Sequence, residues 1–132
     1  MLRCKQCTEV VVCGRVLCCQ DFEDAKEVCR QLGVHCLEVN FVKEYWNSVF
    51  VPFVEDFQSN VRTPNPDVSC NSQIKFHKFR EHVLDRLKFD RMATGHYVRL
   101  RSVGQPPQLL RGIDFSKDQS YFLSTTAVSG CE

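Results

Sequence analysis

The feature that most constrains this chain is a change of hydrophobic period at Gly33. Before it, Phe22, Ala25, Val28, Cys29 and Leu32 recur three and four residues apart, the spacing that lines one helix face. Asp21 stands ready as an N-cap, and Gly33 occupies the place of a helix-ending glycine. Residues 34–41 (Val-His-Cys-Leu-Glu-Val-Asn-Phe) then read as a short strand. Residues 9–19, β-branched and apolar but interrupted by Gly14, read as a buried strand ahead of the helix. Strand, helix and strand in succession favour an α/β domain with a mostly parallel sheet.

The rest of the chain extends that pattern. Trp46, Val49, Phe50, Phe53, Val54 and Phe57 form a second helical stripe, broken at Pro52. A proline inside a continuous helix costs about 3 kcal/mol, so a kink or a new helix with Pro52 in its first turn is expected. Arg62-Thr63-Pro64-Asn65-Pro66-Asp67 predicts an irregular loop, because its prolines lack an amide donor and push the preceding residues out of the helical region. Helical spacing resumes over 71–88 through Phe76, Phe79, Val83, Leu84 and Leu87, with Asn71 or Ser72 as cap. Residues 89–94 predict a short strand ending at Gly95, and 97–101 with 108–112 predict a hairpin near the C-terminal end.

At 132 residues, 43% hydrophobic and 25% charged, the chain fits one globular domain and argues against a disordered or fibrous class. No apolar run approaches the roughly 18 residues of a membrane span, so no membrane association is expected. Nine cysteines, an odd set at irregular spacing with no readable secretory signal, suggest thiols in a reducing compartment. Cys4-x-x-Cys7 with Cys13 and the Cys18-Cys19 pair leaves open a zinc-binding module. One C-x-x-C with no second half of regular spacing is a weak zinc signature.

Charge is unevenly spread. Residues 1–59 hold six Lys/Arg against nine Asp/Glu, residues 60–101 hold nine against four, and residues 102–132 hold two against three. A basic middle third suits a polyanion, or equally a solvated helix face.

The densest chemistry lies in Thr63-Pro64-Asn65-Pro66-Asp67-Val68-Ser69-Cys70-Asn71. A proline-framed loop presents an amide, a carboxylate and a thiol, with the thiol expected at a helix start where free N–H groups favour a thiolate. The same residues also suit an ordinary capped loop with a half-buried cysteine.

That stretch, followed by Ile74-Lys75-Phe76, Ala93-Thr94-Gly95-His96-Tyr97 and Lys117-Asp118-Gln119-Ser120-Tyr121-Phe122-Leu123, resembles the tRNA-specific 2-thiouridylases of the MnmA/TRMU family. Lys43-Glu44-Tyr45-Trp46-Asn47 adds to the match. The resemblance covers about residues 20–126, a partial catalytic domain, and leaves 1–19 as a divergent Cys-rich segment and 127–132 as a divergent tail. It implies the Rossmann-like fold of adenine nucleotide alpha hydrolases, the PP-loop ATPases. It also implies ATP with magnesium, a persulfide sulfur donor supplied by a sulfur-relay protein, and the anticodon arm of tRNA as substrate. In such enzymes the wobble uridine is activated at O2 by adenylation and receives sulfur at C2.

By motif matching, Cys70 takes the place of the nucleophilic cysteine, which releases sulfur from a persulfide by pairing with a second cysteine. Asp67 is the matching candidate acid/base. Asn65, Pro66 and Asp67 fall where the target base is contacted, His96, Lys117, Asp118 and Gln119 fall in tRNA-contacting segments, and Gly95 matches a glycine beside ATP. Read without the resemblance, His96 is a structural histidine and Lys117-Asp118-Gln119 a polar turn. The family's Ser-Gly-Gly-x-Asp-Ser loop has no counterpart here, where six glycines stand with none adjacent. Its persulfide-carrying cysteine belongs beyond residue 132, and Cys131 does not match it. The expectation is a truncated member, missing its first strand and PP-loop, that does not complete thiolation alone. It is expected in mitochondria, with the cytoplasm as the alternative.

Overall fold

A computed structural model describes residues 9–14, 19–60, 62–101 and 107–126, with side chains from residue 22 onward. Strand β1 (Glu9–Gly14) is followed by helix α1 (Cys19–Leu32) and strand β2 (His35–Asn40). The two strands pair in parallel, Glu9 opposite His35 through Gly14 opposite Asn40. Parallel neighbours need a crossover, and α1 provides it.

Helix α1 begins earlier than expected, at Cys19, so Asp21 lies inside it and is not its N-cap. Its end follows the sequence. Gly33, at φ +64°, lets its own N–H reach Arg30 O at 3.2 Å and the Val34 N–H reach Cys29 O at 3.0 Å. These are the paired bonds of a Schellman cap.

Helix α2 runs over 42–59, and the Asn40 carboxamide oxygen accepts from the Val42 N–H at its start. Pro52 does not break it. The preceding turn, Trp46–Phe50, is wound as a π-helix in which the Val51 N–H reaches Trp46 O, and ordinary winding resumes over Val51–Ser59 with the proline in the first turn. The helix stops at Asn60, in the left-handed region at φ +53°. Of its aromatic stripe, Trp46 and Phe57 remain exposed, and only Val49 is fully buried.

Helix α3 spans 66–86 and starts a turn ahead of the expected position. Neither Asn71 nor Ser72 caps it. Asn65 does, its side-chain oxygen accepting from the Asp67 N–H at 3.0 Å and the Val68 N–H at 3.4 Å. Pro66, which reads as a breaker, is a starter because the first helical position needs no amide donor and favours the ring's fixed φ. Residues Cys70–Phe79 and His82–Arg86 are π-wound. The wider winding sets the burial pattern: Cys70, Ile74, Phe79 and Val83 are buried at steps of four and five. A helix bonded from i to i+5 turns once in about 4.4 residues, so these four share one face.

Two cores result. Phe79 and Val83 pack with Leu37 and Val39 of β2 and with Phe89 and Met92, while Val49, Cys70 and Ile74 join α2 to α3. Phe41 belongs to both, its ring edge-on to Phe79 at 6.1 Å. On the other sheet face, Cys36 meets Cys29 of α1, and burial together with that neighbour pushes the Cys36 thiol up. The sheet thus lies between α1 and α3.

The strand expected at 89–94 does not form. Phe89 and Met92 deliver their apolar surface to the Phe79–Val83 core without a backbone ladder. The chain reaches them from a left-handed Lys88 (φ +60°), after which the Phe89 N–H closes on Val83 O at 3.1 Å. The hairpin does form, as antiparallel β3 (Arg99–Arg101) and β4 (Gln108–Leu110). A 3-10 turn, Tyr121–Leu123, follows. No described helix is long and apolar enough to cross a membrane.

Candidate functional site at the start of helix α3

The three motifs singled out in the sequence meet on the first turns of α3. Asn71, 3% exposed, donates from Nδ2 to the carbonyl oxygen of Phe122, 51 residues away, at 2.9 Å. Its Oδ1 faces His96 Nε2 at 3.3 Å, and His96 Nδ1 lies 2.8 Å from the Thr94 hydroxyl. The imidazole also packs against Phe76 of α3, ring centroids 5.5 Å apart. Burial and the nearby Lys75 charge hold His96 below the usual imidazole range.

A second set of bonds closes the loop after β4. The Tyr97 N–H donates to Gln119 Oε1 at 3.0 Å, and the Gln119 N–H returns a bond to Tyr97 O at 3.0 Å. Asp118 accepts from the Gly112 N–H at 2.6 Å and from the Ser120 hydroxyl at 2.8 Å, with Arg111 Nε 3.7 Å away. Those bonds hold its carboxyl below the usual range, Gly112 contributing most. Space beside Gly112 is tight: a Cβ on it would meet Tyr97 O at 3.0 Å and Asp118 Cα at 3.4 Å, so a larger residue there must push these neighbours back by a few tenths of an ångström.

The expected residues therefore divide. His96 is drawn to the turn of α3 that bears Cys70, through Asn71, and the Asp118 carboxylate and Gln119 Oε1 bond within the protein. Asp67 and Lys117 are exposed, and Pro66 is half-buried at the helix start. Cys70 differs from expectation. It lies a turn inside the helix and is only 7% exposed, packed with Val49 and Ile74. The first-turn amides it was expected to exploit are engaged: Asp67 and Val68 bond the Asn65 side chain, and Ser69 bonds Asn65 O. Asn71 carries more of the geometry than its sequence suggested, because its partners are remote and only the fold brings them to it.

Gly95 is exposed, and a Cβ on it would meet nothing within 4 Å, so the backbone there is open to a ligand. Among the described residues no glycine-rich phosphate cradle accompanies it. The proposed zinc cysteines Cys4, Cys7, Cys13, Cys18 and Cys19 have side chains outside the described residues. Among the described residues no group of three or more His, Cys, Asp or Glu is placed to hold a metal.

A family model described as the tRNA methyl transferase HUP domain matches residues 1–130. The chain belongs to this family. Its α/β architecture is the Rossmann-like one that a HUP domain implies. The tRNA-specific 2-thiouridylase MnmA of Psychromonas ingrahamii is 52% identical over 104 residues, covering 79% of this chain and 28% of the relative. The MnmA proteins of Klebsiella pneumoniae (51%) and Bacillus pumilus (49%) match over 105 residues, 80% of this chain and 28% of each relative. The chain thus spans about a quarter of the length of the curated relatives it matches.

Proposed function

We propose that this chain forms the part of a tRNA 2-thiouridylase that presents a sulfur-handling thiol to the wobble uridine. The reading is carried by the convergence of two remote segments, 94–97 and 120–123, on the turn that bears Cys70 and Asn71. About half-identity to proteins named as tRNA 2-thiouridylases supports it. Cys70 is the nucleophile: its thiolate attacks the inner sulfur of a second cysteine's persulfide, a disulfide between the two cysteines forms as the persulfide S–S bond breaks, and the outer sulfur leaves with its electron pair for C2 of the uridine, whose adenylated oxygen departs with AMP. Asp67, exposed one turn earlier, is the acid/base, and Asn65 and Pro66 frame the approach of the base. Lys117 supplies charge toward the phosphates. ATP, with magnesium, would activate the uridine oxygen as a leaving group beside Gly95. A thiol packed against Val49 and Ile74 needs that cluster to shift before it meets substrate.

The test uses the chain with an anticodon stem-loop carrying wobble uridine. Binding weakens steeply with salt, and bound RNA slows alkylation of Cys70 by iodoacetamide at least several-fold, while Cys70→Ser still binds. RNA that binds without shielding Cys70, or fails to bind, overturns the reading. With ATP, magnesium, a persulfide donor and tRNA, nucleoside mass spectrometry separates oxygen-for-sulfur exchange from the methyl transfer in the family's description.

A further inference from the structure

We propose that Asn71 is a positioning residue that locks His96 as its neutral Nε2–H tautomer and ties both the 94–97 and 120–123 segments to α3. The inference rests on the site assigned above and gives His96 a role different from direct RNA contact.

The polarity of the network follows from one fixed point. The Phe122 carbonyl can only accept, so the Asn71 atom 2.9 Å from it is the amide nitrogen. The other carboxamide atom is then an oxygen, which can only accept. His96 Nε2, 3.3 Å from that oxygen, must carry the proton. In the neutral ring Nδ1 is left as an acceptor, and the Thr94 hydroxyl at 2.8 Å donates to it. Each donor meets an acceptor along the line Thr94, His96, Asn71, Phe122.

Both ring nitrogens are thereby occupied, and one side of the ring packs on Phe76. His96 has no N–H left for a phosphate oxygen. Its depressed basicity agrees, since burial and the nearby Lys75 charge both disfavour an imidazolium. Asn71 neighbours Cys70 on the same turn, so the clasp fixes the thiol's helix relative to two segments that resemblance places at the RNA. At 3% exposure, water cannot readily replace these bonds.

The experiment reads His96 directly by nitrogen-15 NMR of the imidazole at neutral pH. In the wild-type chain Nε2 shows the protonated and Nδ1 the bare-nitrogen signal. Asn71→Leu removes both bonds at similar volume, and the ring then averages between tautomers while amide exchange at 120–124 accelerates about tenfold. Asn71→Asp keeps the acceptor but loses the donor, so His96 retains Nε2–H and becomes more basic while the 120–124 amides still loosen. A wild-type Nδ1–H tautomer, or an unchanged ring in Asn71→Leu, overturns the proposal. The wild-type spectrum decides even if a variant does not fold. RNA binding by the same samples is scored separately. Loss of RNA binding in every sample, wild type included, counts against the functional reading and leaves the tautomer result standing.

Discussion

At its C-terminal end α3 is held by Phe79 and Val83, which pack on β2 and on Phe89 and Met92 without a directional bond from their side chains. At its N-terminal end the same helix is held by Asn65 and Asn71, whose amides bond atoms two, three, 25 and 51 residues away. The first kind of attachment scales with buried area and tolerates small shifts. The second depends on direction and is lost when one atom changes. A site that must present particular atoms benefits from the second, and a scaffold from the first.

Substitutions at the two ends test that contrast. Phe79→Ala empties the apolar end and costs about 3–5 kcal/mol in urea denaturation, the largest effect expected. Asn71→Ala strands the Phe122 carbonyl and costs about 1–3 kcal/mol, with the loosening confined to 94–97 and 120–124 by hydrogen exchange. Equal exchange at both ends of α3 in that variant would erase the distinction. Asn65→Ala removes the cap and costs about 1 kcal/mol, read as fraying of 66–69.

A weaker effect comes from pH. His96 is less basic folded than unfolded, so its contribution is full above the ordinary value of about 6.5 and is lost as pH falls through the folded-state value. Urea midpoints should therefore drop on going from about pH 7.5 to 5.5, and His96→Asn should flatten the change. Lys26→Ala removes an exposed pair with Glu23 and a cation–π contact with Phe22, and shifts stability by less than about 1 kcal/mol.

Where structure is set by neighbours in the chain, it can be read from the sequence. The end of α1 at Gly33, the step into β2 and the hairpin depend on local spacing and turn chemistry, and all three form where they are expected. The start of α3 is also local, but its signal is ambiguous, because Pro66 forbids a helix interior and equally favours a helix start. The buried face of α3 is invisible to a search at 3.6 residues per turn, which selects Phe76 and Leu87 and passes over Cys70 and Ile74. The absent strand at 89–94 shows the reverse error: apolar content announces burial, and pairing requires a partner that periodicity does not supply. Cys70 is recognisable from its motif, whereas the Asn71 hub rests on partners as remote as Phe122.

The wide winding of α3 has a rotational consequence. From Cys70 to Phe79 there are nine steps, and at about 4.4 residues per turn they amount to roughly two full revolutions, which places thiol and ring on one side. At 3.6 per turn the same nine steps would be two and a half revolutions, about 180° apart. With the Phe79 end anchored in its core, the compass bearing of the Cys70 sulfur is thus set by which carbonyl each intervening amide chooses, the fourth or the fifth before it.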